Sequence, residues 1–203
     1  MTIIGLTGGS GVGKGEVCKI FADFGIDSID TDKIAREITQ KGSECLSELV
    51  QHFSESILDK NGELNRQRLA DIAFASKENH ETLNKITHKH IIEACLSKIA
   101  EFKAIGKNAL VIDAPLLFES GFDKRCDTII SVIANDTNAR LERIVKRDNI
   151  SLEQAQNRIK KQKDDAFLIK NSDYVINNDG TINELECQVK EIYNNMLQRG
   201  LII

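Results

Sequence analysis

Apolar residues along this chain come in two textures, short continuous runs and longer stretches with helical spacing. The opening run, Thr2-Ile3-Ile4-Gly5-Leu6, is that of a strand buried on both faces. Asn108 to Ala114 and Thr128 to Ile133 repeat it, and Ile26 to Asp30 and Tyr174 to Ile176 are shorter versions. Between these runs the period lengthens. Val17, Ile20, Phe21 and Phe24 predict a helix over Glu16 to Phe24, with Gly25 as its stop. Further helices are predicted over Lys33 to Ile38, over Asn138 to Arg147, from the capping start Ser151-Leu152-Glu153-Gln154, and over Ile182 to Leu197. Strands that alternate with helices give an α/β fold with a parallel sheet.

Lys41 to Gly106 breaks the alternation. Leu46, Leu49, Val50 and Phe53 form one apolar stripe, and Leu69, Ile72, Ala73 and Phe74 form another. Leu83, Ile86, Ile91, Ile92, Leu96 and Ile99 sustain a third. The only strong interruption is the turn signal Asp59-Lys60-Asn61-Gly62. With no strand between the stripes, this segment is a helical insertion between the second and third strands, placed to cover a second substrate. His88 and His90 lie within it two residues apart, so on a helix they point in different directions and do not make a metal pair.

The chemistry concentrates after the first strand, in Thr7-Gly8-Gly9-Ser10-Gly11-Val12-Gly13-Lys14. A G-x-x-x-x-G-K run between a strand and a helix is a phosphate cradle. Its glycines let successive N–H groups turn toward an anion, the helix directs its positive end there, and Lys14 adds a formal charge. The pattern asks for Ser or Thr after the lysine, where a hydroxyl ligates Mg²⁺. This chain carries Gly15 and then Glu16.

Other candidates fall at the carboxyl ends of strands, where open α/β sheets place their ligands. Asp30 and Asp32 follow the second strand, with Arg36 one turn beyond. Asp32 reads either as a helix N-cap or as an acid in contact with substrate; the upstream loop favours contact. Asp113 closes an apolar strand, the position from which a carboxylate reaches Mg²⁺ directly or through water. Two late basic helices suggest a lid. Arg143 and Arg147, four apart, share a face and suit phosphate clamping, whereas Lys160 and Lys161 read as a solvated face. The fold class is thus a P-loop NTPase-type, doubly wound parallel sheet of five strands, with a helical substrate-binding insertion and a small helical lid. One domain is expected over residues 1–203: a nucleotide-binding core at 1–40, 107–135 and 172–203, the insertion at 41–106 and the lid at 136–171.

Composition narrows the function. A net charge of -4 and a pI near 5.7 argue against a general nucleic-acid binder. Five scattered cysteines without a C-x-x-C pair fit free thiols in a reducing cytosol better than disulfides or a zinc site. No basic leader opens the chain and no apolar stretch approaches about 18 residues, so a cytoplasmic protein without a membrane partner is expected. The missing N-K-x-D motif disfavours a GTPase.

Together the motifs resemble the dephospho-coenzyme A kinase family over nearly the whole chain. The matching pieces are LTGGSGVGKG (Leu6–Gly15), IDTD with the following Ile-Ala-Arg (Ile29–Arg36), and THKHI (Thr87–Ile91). APLLFESG (Ala114–Gly121), RLERIVKRD (Arg140–Asp148), the Arg158–Gln162 segment and SDYVINNDG (Ser172–Gly180) complete the series. The resemblance implies transfer of the ATP γ-phosphoryl group to the ribose 3′-hydroxyl of dephospho-CoA, with Mg²⁺. It implies catalytic roles for Lys14, Asp32 and Arg143, and ATP contacts from Gly11, Val12, Gly13, Lys14, Gly15, Glu16, Asn177 and Asn178. Acceptor contacts would come from Thr7, Asp32, Arg36, His88, Leu117 and Arg140, and Asp113 would serve the metal through water. A monomer or weak homo-oligomer is expected. The chain departs from the family pattern at Gly15 and Glu16, at Lys89 in place of proline, and at Leu168 where a basic residue is common. Two other readings are another small-molecule P-loop kinase and a nucleotide-binding regulatory protein weakened by Gly15.

Overall fold

The computed structural model describes residues 1–160 and 162–203; Lys161, read above as part of a solvated face, lies outside them. Five strands form one sheet: β1 (Thr2–Thr7), β2 (Asp27–Asp30), β3 (Ala109–Asp113), β4 (Thr128–Ile133) and β5 (Tyr174–Asn177), in the order β2-β3-β1-β4-β5. The helices in chain order are α1 (Lys14–Asp23), α2 (Thr31–Glu37), α3 (Glu44–Phe53), α4 (Arg66–Ala73), α5 (Lys77–Ala104), α6 (Thr137–Asp148), α7 (Leu152–Lys160), α8 (Asp165–Lys170) and α9 (Ile182–Gln198). Two compact units result, Met1–Ile29 with Phe102–Ile203, and Asp30–Glu101.

In the first unit β1 is central and pairs in parallel with both β3 and β4. Burial on both faces accounts for its unbroken apolar run, and Ile4 and Leu6 are wholly enclosed. Val17, Ile20 and Phe21 of α1 share one core with Leu185, Val189, Ile192 and Met196 of α9. Phe24, just past the end of α1, stacks on Tyr193 of α9 with ring centroids 4.5 Å apart. The register sets Leu6 opposite Asp113 and Thr7 opposite Ser131. Strand ends and their connecting segments therefore gather at one edge of the sheet, at the point where the chain turns into the phosphate loop.

Caps explain where several helices begin. Asp30, not Asp32, is the N-cap of α2: its side chain accepts from the backbone N–H of Asp32 at 2.8 Å and of Lys33 at 3.1 Å. The box expected at Ser151 and Gln154 forms in both directions, at 2.9 and 3.2 Å. Helix α8 has no counterpart among the sequence expectations. It runs for only six residues, is capped by Asp164, and buries Leu168.

The second unit is helical. Cys45, Leu49 and Phe53 of α3 meet Leu69 of α4 and Ile86 of α5 in its core. The Asp59 carboxylate accepts from Asn61 N–H at 2.8 Å and Glu63 N–H at 3.0 Å, closing the expected turn at Gly62. Among the described residues no disulfide joins the cysteines, and burial pushes the thiols of Cys45 and Cys95 up to about 11 and that of Cys126 to about 12. Among the described residues no helix is long and apolar enough to cross a membrane.

Candidate active site

The loop between β1 and α1 is held in shape from outside. Gly13 sits in the left-handed region at φ 96, and a Cβ there would collide with Nδ2 of Asn178. That Nδ2 instead donates to Val12 O at 2.8 Å. Arg143 donates through Nη1 to Gly11 O at 3.1 Å, and Arg140 donates through Nε to Ser10 O at 3.4 Å. Three consecutive loop carbonyls thus accept from three side chains of distant elements. Gln162 adds a two-point grip on Ser10: its Oε1 accepts from Ser10 N–H at 2.8 Å while its Nε2 donates to Ser10 Oγ at 2.9 Å.

The inner side of this loop is suited to anions. No side chain caps α1 at Gly13, so the first-turn amides keep their positive end open to a ligand. Lys14 is the first residue of α1 and folds its Nζ back to Gly8 O at 2.9 Å. Gly15 and Glu16 follow on the exposed side. A Cβ at Gly15 would meet nothing within 4 Å, so a hydroxyl-bearing residue would fit where this chain has none. The Glu16 carboxylate pairs with Lys19 at 2.8 Å instead.

Around the loop the predicted residues take distinct stations. Thr7 is the buried last residue of β1, and Asp113 ends the neighbouring strand with its Oδ2 4.0 Å from Cys18 Sγ on α1. Leu117 is wholly enclosed, packed where a Cβ on Gly5 would lie 2.9 Å from it, so its side chain faces the core. Arg140 is buried, with Nη1 reaching Ala134 O at 3.5 Å. The exposed Asn177 is gripped through its backbone by Gln188 of α9, at 3.0 Å from N–H and 2.9 Å from O.

The two arginines of α6 part company. Arg143 reaches the loop, whereas Arg147 makes a two-pronged pair with Asp148 at 2.8 and 2.9 Å. Arg158 of α7 binds the same carboxylate. Hydrogen bonds from Arg147 hold the Asp148 carboxyl at about 2 against the opposing effect of burial, and Arg158 assists.

The remaining predicted residues belong to the helical unit. Asp32 is exposed at the second position of α2, and Arg36 lies in its last turn. Burial and then the Arg36 charge lower the pKa of Arg66, which donates to Thr39 Oγ1 at 2.8 Å. His88 is partly buried, and that burial, followed by His80, pushes its pKa down and favours the neutral ring. His90 faces elsewhere and pairs through Nε2 with Glu48 at 2.8 Å. Sequence reasoning did not find the Gln162 grip on Ser10, because no period or motif links residues 152 apart.

Comparison with known proteins points to one family. The family model of dephospho-CoA kinase matches residues 2–184. The chain is 39% identical over 190 residues to a dephospho-CoA kinase of Bacillus cereus, covering 94% of each. A crystallised protein of Thermus thermophilus superposes with a TM-score of 0.82 at 25% identity, covering 96% of this chain and 97% of that one. Dephospho-CoA kinase from Campylobacter jejuni gives a TM-score of 0.69 at 27% identity, with 98% of both chains covered.

Proposed function

The chain belongs to the dephospho-CoA kinase family, and we propose that it phosphorylates the ribose 3′-hydroxyl of dephospho-CoA with ATP. The observation that carries this reading is the phosphate loop, with α1 uncapped behind it and Lys14 folded across its mouth. Gly11 to Glu16 hold the ATP phosphates by backbone amides and the lysine ammonium. The segment at Asn177 and Asn178 borders the base, while Asn178 also keeps Val12 in place.

The chemical step is an in-line exchange. The acceptor oxygen forms a bond to the γ-phosphorus as the bond to the ADP oxygen breaks, and Asp32 takes the hydroxyl proton. Lys14 and Arg143 offset the charge that spreads over the transferring oxygens. Thr7, Arg36 and His88 contact the acceptor, His88 from the helical insertion. Arg140 and Leu117 serve the same site from behind, one by holding the loop and the other by supporting the strand beside it. Helices α6 to α8 act as the lid. Mg²⁺ would be held by Asp113 through water together with phosphate oxygens, a donor set that fits a hard cation though it lacks the usual hydroxyl at position 15. When bound, it neutralises negative charge on the β- and γ-phosphates.

The test measures ADP release with ATP, Mg²⁺ and dephospho-CoA, each omitted in turn, alongside a panel of other hydroxyl acceptors. Release that needs all three, with product phosphorylated at the 3′-hydroxyl, is expected. ATP binding without turnover on dephospho-CoA, or faster turnover on another acceptor, would overturn the reading.

A further inference from the structure

A narrow cleft opens beside the amino-terminal half of the phosphate loop. Thr7, Gly8 and Gly9 form one wall, Pro115 and Phe118 a second, and the segment leading into α8 closes the third. That last segment contributes Gln162 and Lys163, and α8 itself contributes the apolar Leu168. Lys163 is the one cation among these lining residues, and its position over the cleft is built rather than incidental. Its neighbour Gln162 is bonded twice to Ser10 of the loop, so the backbone that carries the lysine is tied to the phosphate site. Its ammonium lies 4.7 Å from the centroid of the Phe167 ring, and Phe167 in turn meets Phe118 edge-on at 5.2 Å.

An aromatic face holds a cation without cancelling its charge. Glu119 also lines the cleft, yet among the described residues no carboxylate lies within ion-pair distance of Lys163. The cleft's orientation along the loop identifies what such a charge would meet. The P-loop lysine reaches the β- and γ-phosphates, whereas the backbone cradles the α- and β-phosphates. Here the Lys14 ammonium sits at Gly8 O, so the charge that reaches the β- and γ-phosphates starts from the Gly8 end of the loop. Lys163 lines the cleft at that same end.

We propose that Lys163 is a catalytic residue of the lid that binds the γ-phosphoryl group of the nucleotide and stabilises it during transfer. This inference rests on the kinase reading above, and the experiment separates the two. Binding of ADP and of a non-hydrolysable ATP analogue is measured for the wild type, Lys163→Ala and Lys163→Arg, followed by turnover with ATP and dephospho-CoA. For Lys163→Ala we expect analogue affinity to fall roughly tenfold with ADP affinity unchanged, and turnover to fall roughly a hundredfold, as for loss of a group that meets transition-state charge. Lys163→Arg, which keeps the charge, should recover most of both. The wild-type turnover measurement reports on the acceptor, whereas the ratio of analogue to ADP affinity reports on Lys163 whatever the acceptor is. An unchanged ratio in Lys163→Ala, or an equal loss of both ligands, would overturn the assignment.

Discussion

At Gly13 a methyl group would run into Asn178, whereas at Gly15, two residues on, it would meet nothing within 4 Å. Both positions belong to one loop-to-helix junction, and both would lie beside a bound nucleotide. From Ser10 to Gly13 the backbone is over-determined: side chains from α6 and from the turn after β5 take up its carbonyls, and Gln162 before α8 holds the N–H and hydroxyl of Ser10. From Gly15 onward α1 is regular, the Glu16 side chain bonds along its own helix to Lys19, and Gly15 and Glu16 are exposed. Phosphate binding depends on backbone amides whose directions must be fixed in advance, so the first part has little freedom in sequence. The second part would act through a side chain, and side chains at an exposed helix start can change without cost to the fold.

The largest effect should follow from disturbing the clamped part. Gly13→Ala forces a non-glycine residue to φ 96 and drives Asn178 off Val12 O. The backbone strain costs about 2 kcal/mol, and the lost hydrogen bond adds about 1 kcal/mol. Thermal unfolding should shift down by roughly 6–12 °C for a chain of this size, and nucleotide affinity should fall by more than roughly tenfold. A sharper form uses the Asn178→Ala background. There the Gly13→Ala penalty should shrink by about 1 kcal/mol, since the collision partner is gone. Equal penalties in the two backgrounds would mean that Asn178 does not enforce glycine at this position.

A middle-sized effect concerns the arginines that do not reach the loop. Asp148 lies well below its ordinary value of 3.8, at about 2, because Arg147 and then Arg158 bond to its ionised form. A carboxyl group lowered on folding adds stability above its unfolded pKa and loses it as pH falls through the folded one. Asp148→Asn should therefore lower the melting temperature by an amount that is constant above about pH 5 and vanishes as pH approaches about 2. The contribution is about 1 kcal/mol or less, because water still screens the pair. A gap between variant and wild type that widens on acidification would remove this pairing from the account of the lid.

These contrasts also explain what the sequence made legible. The strands of the sheet could be read because burial on both faces leaves an unbroken apolar run, as in Ile3 to Leu6. The loop could be read because its glycines meet a backbone requirement at fixed spacing. Contacts between distant residues could not. That Arg143 turns to Gly11 while Arg147 turns to Asp148 depends on where α6 docks, and both residues look alike in sequence. Asp30 and Asp32 are equally good caps by residue type, and the end of β2 decides between them. Helix α8 is too short for a period to show, so the cleft that it closes with Lys163 had no signal.

The smallest structural effect, and the one that best isolates the open part, is expected from Gly15→Ser. The position is helical and exposed, and the new side chain has room. Replacing glycine there should leave stability unchanged or raise it by about 0.5 kcal/mol, since serine is the better helix former. The variant also restores the hydroxyl that ordinarily ligates Mg²⁺ in this motif. If the wild-type chain holds its nucleotide mainly through amides and Lys14, its ATP affinity should depend only modestly on the metal. In Gly15→Ser the ratio of ATP affinity with Mg²⁺ to that with a chelator should then rise by roughly fivefold, about 1 kcal/mol. Calorimetry in the two buffers measures this without any turnover. An unchanged ratio would show that the clamped part alone governs phosphate binding, and that the hydroxyl is dispensable at a loop whose amides are already fixed.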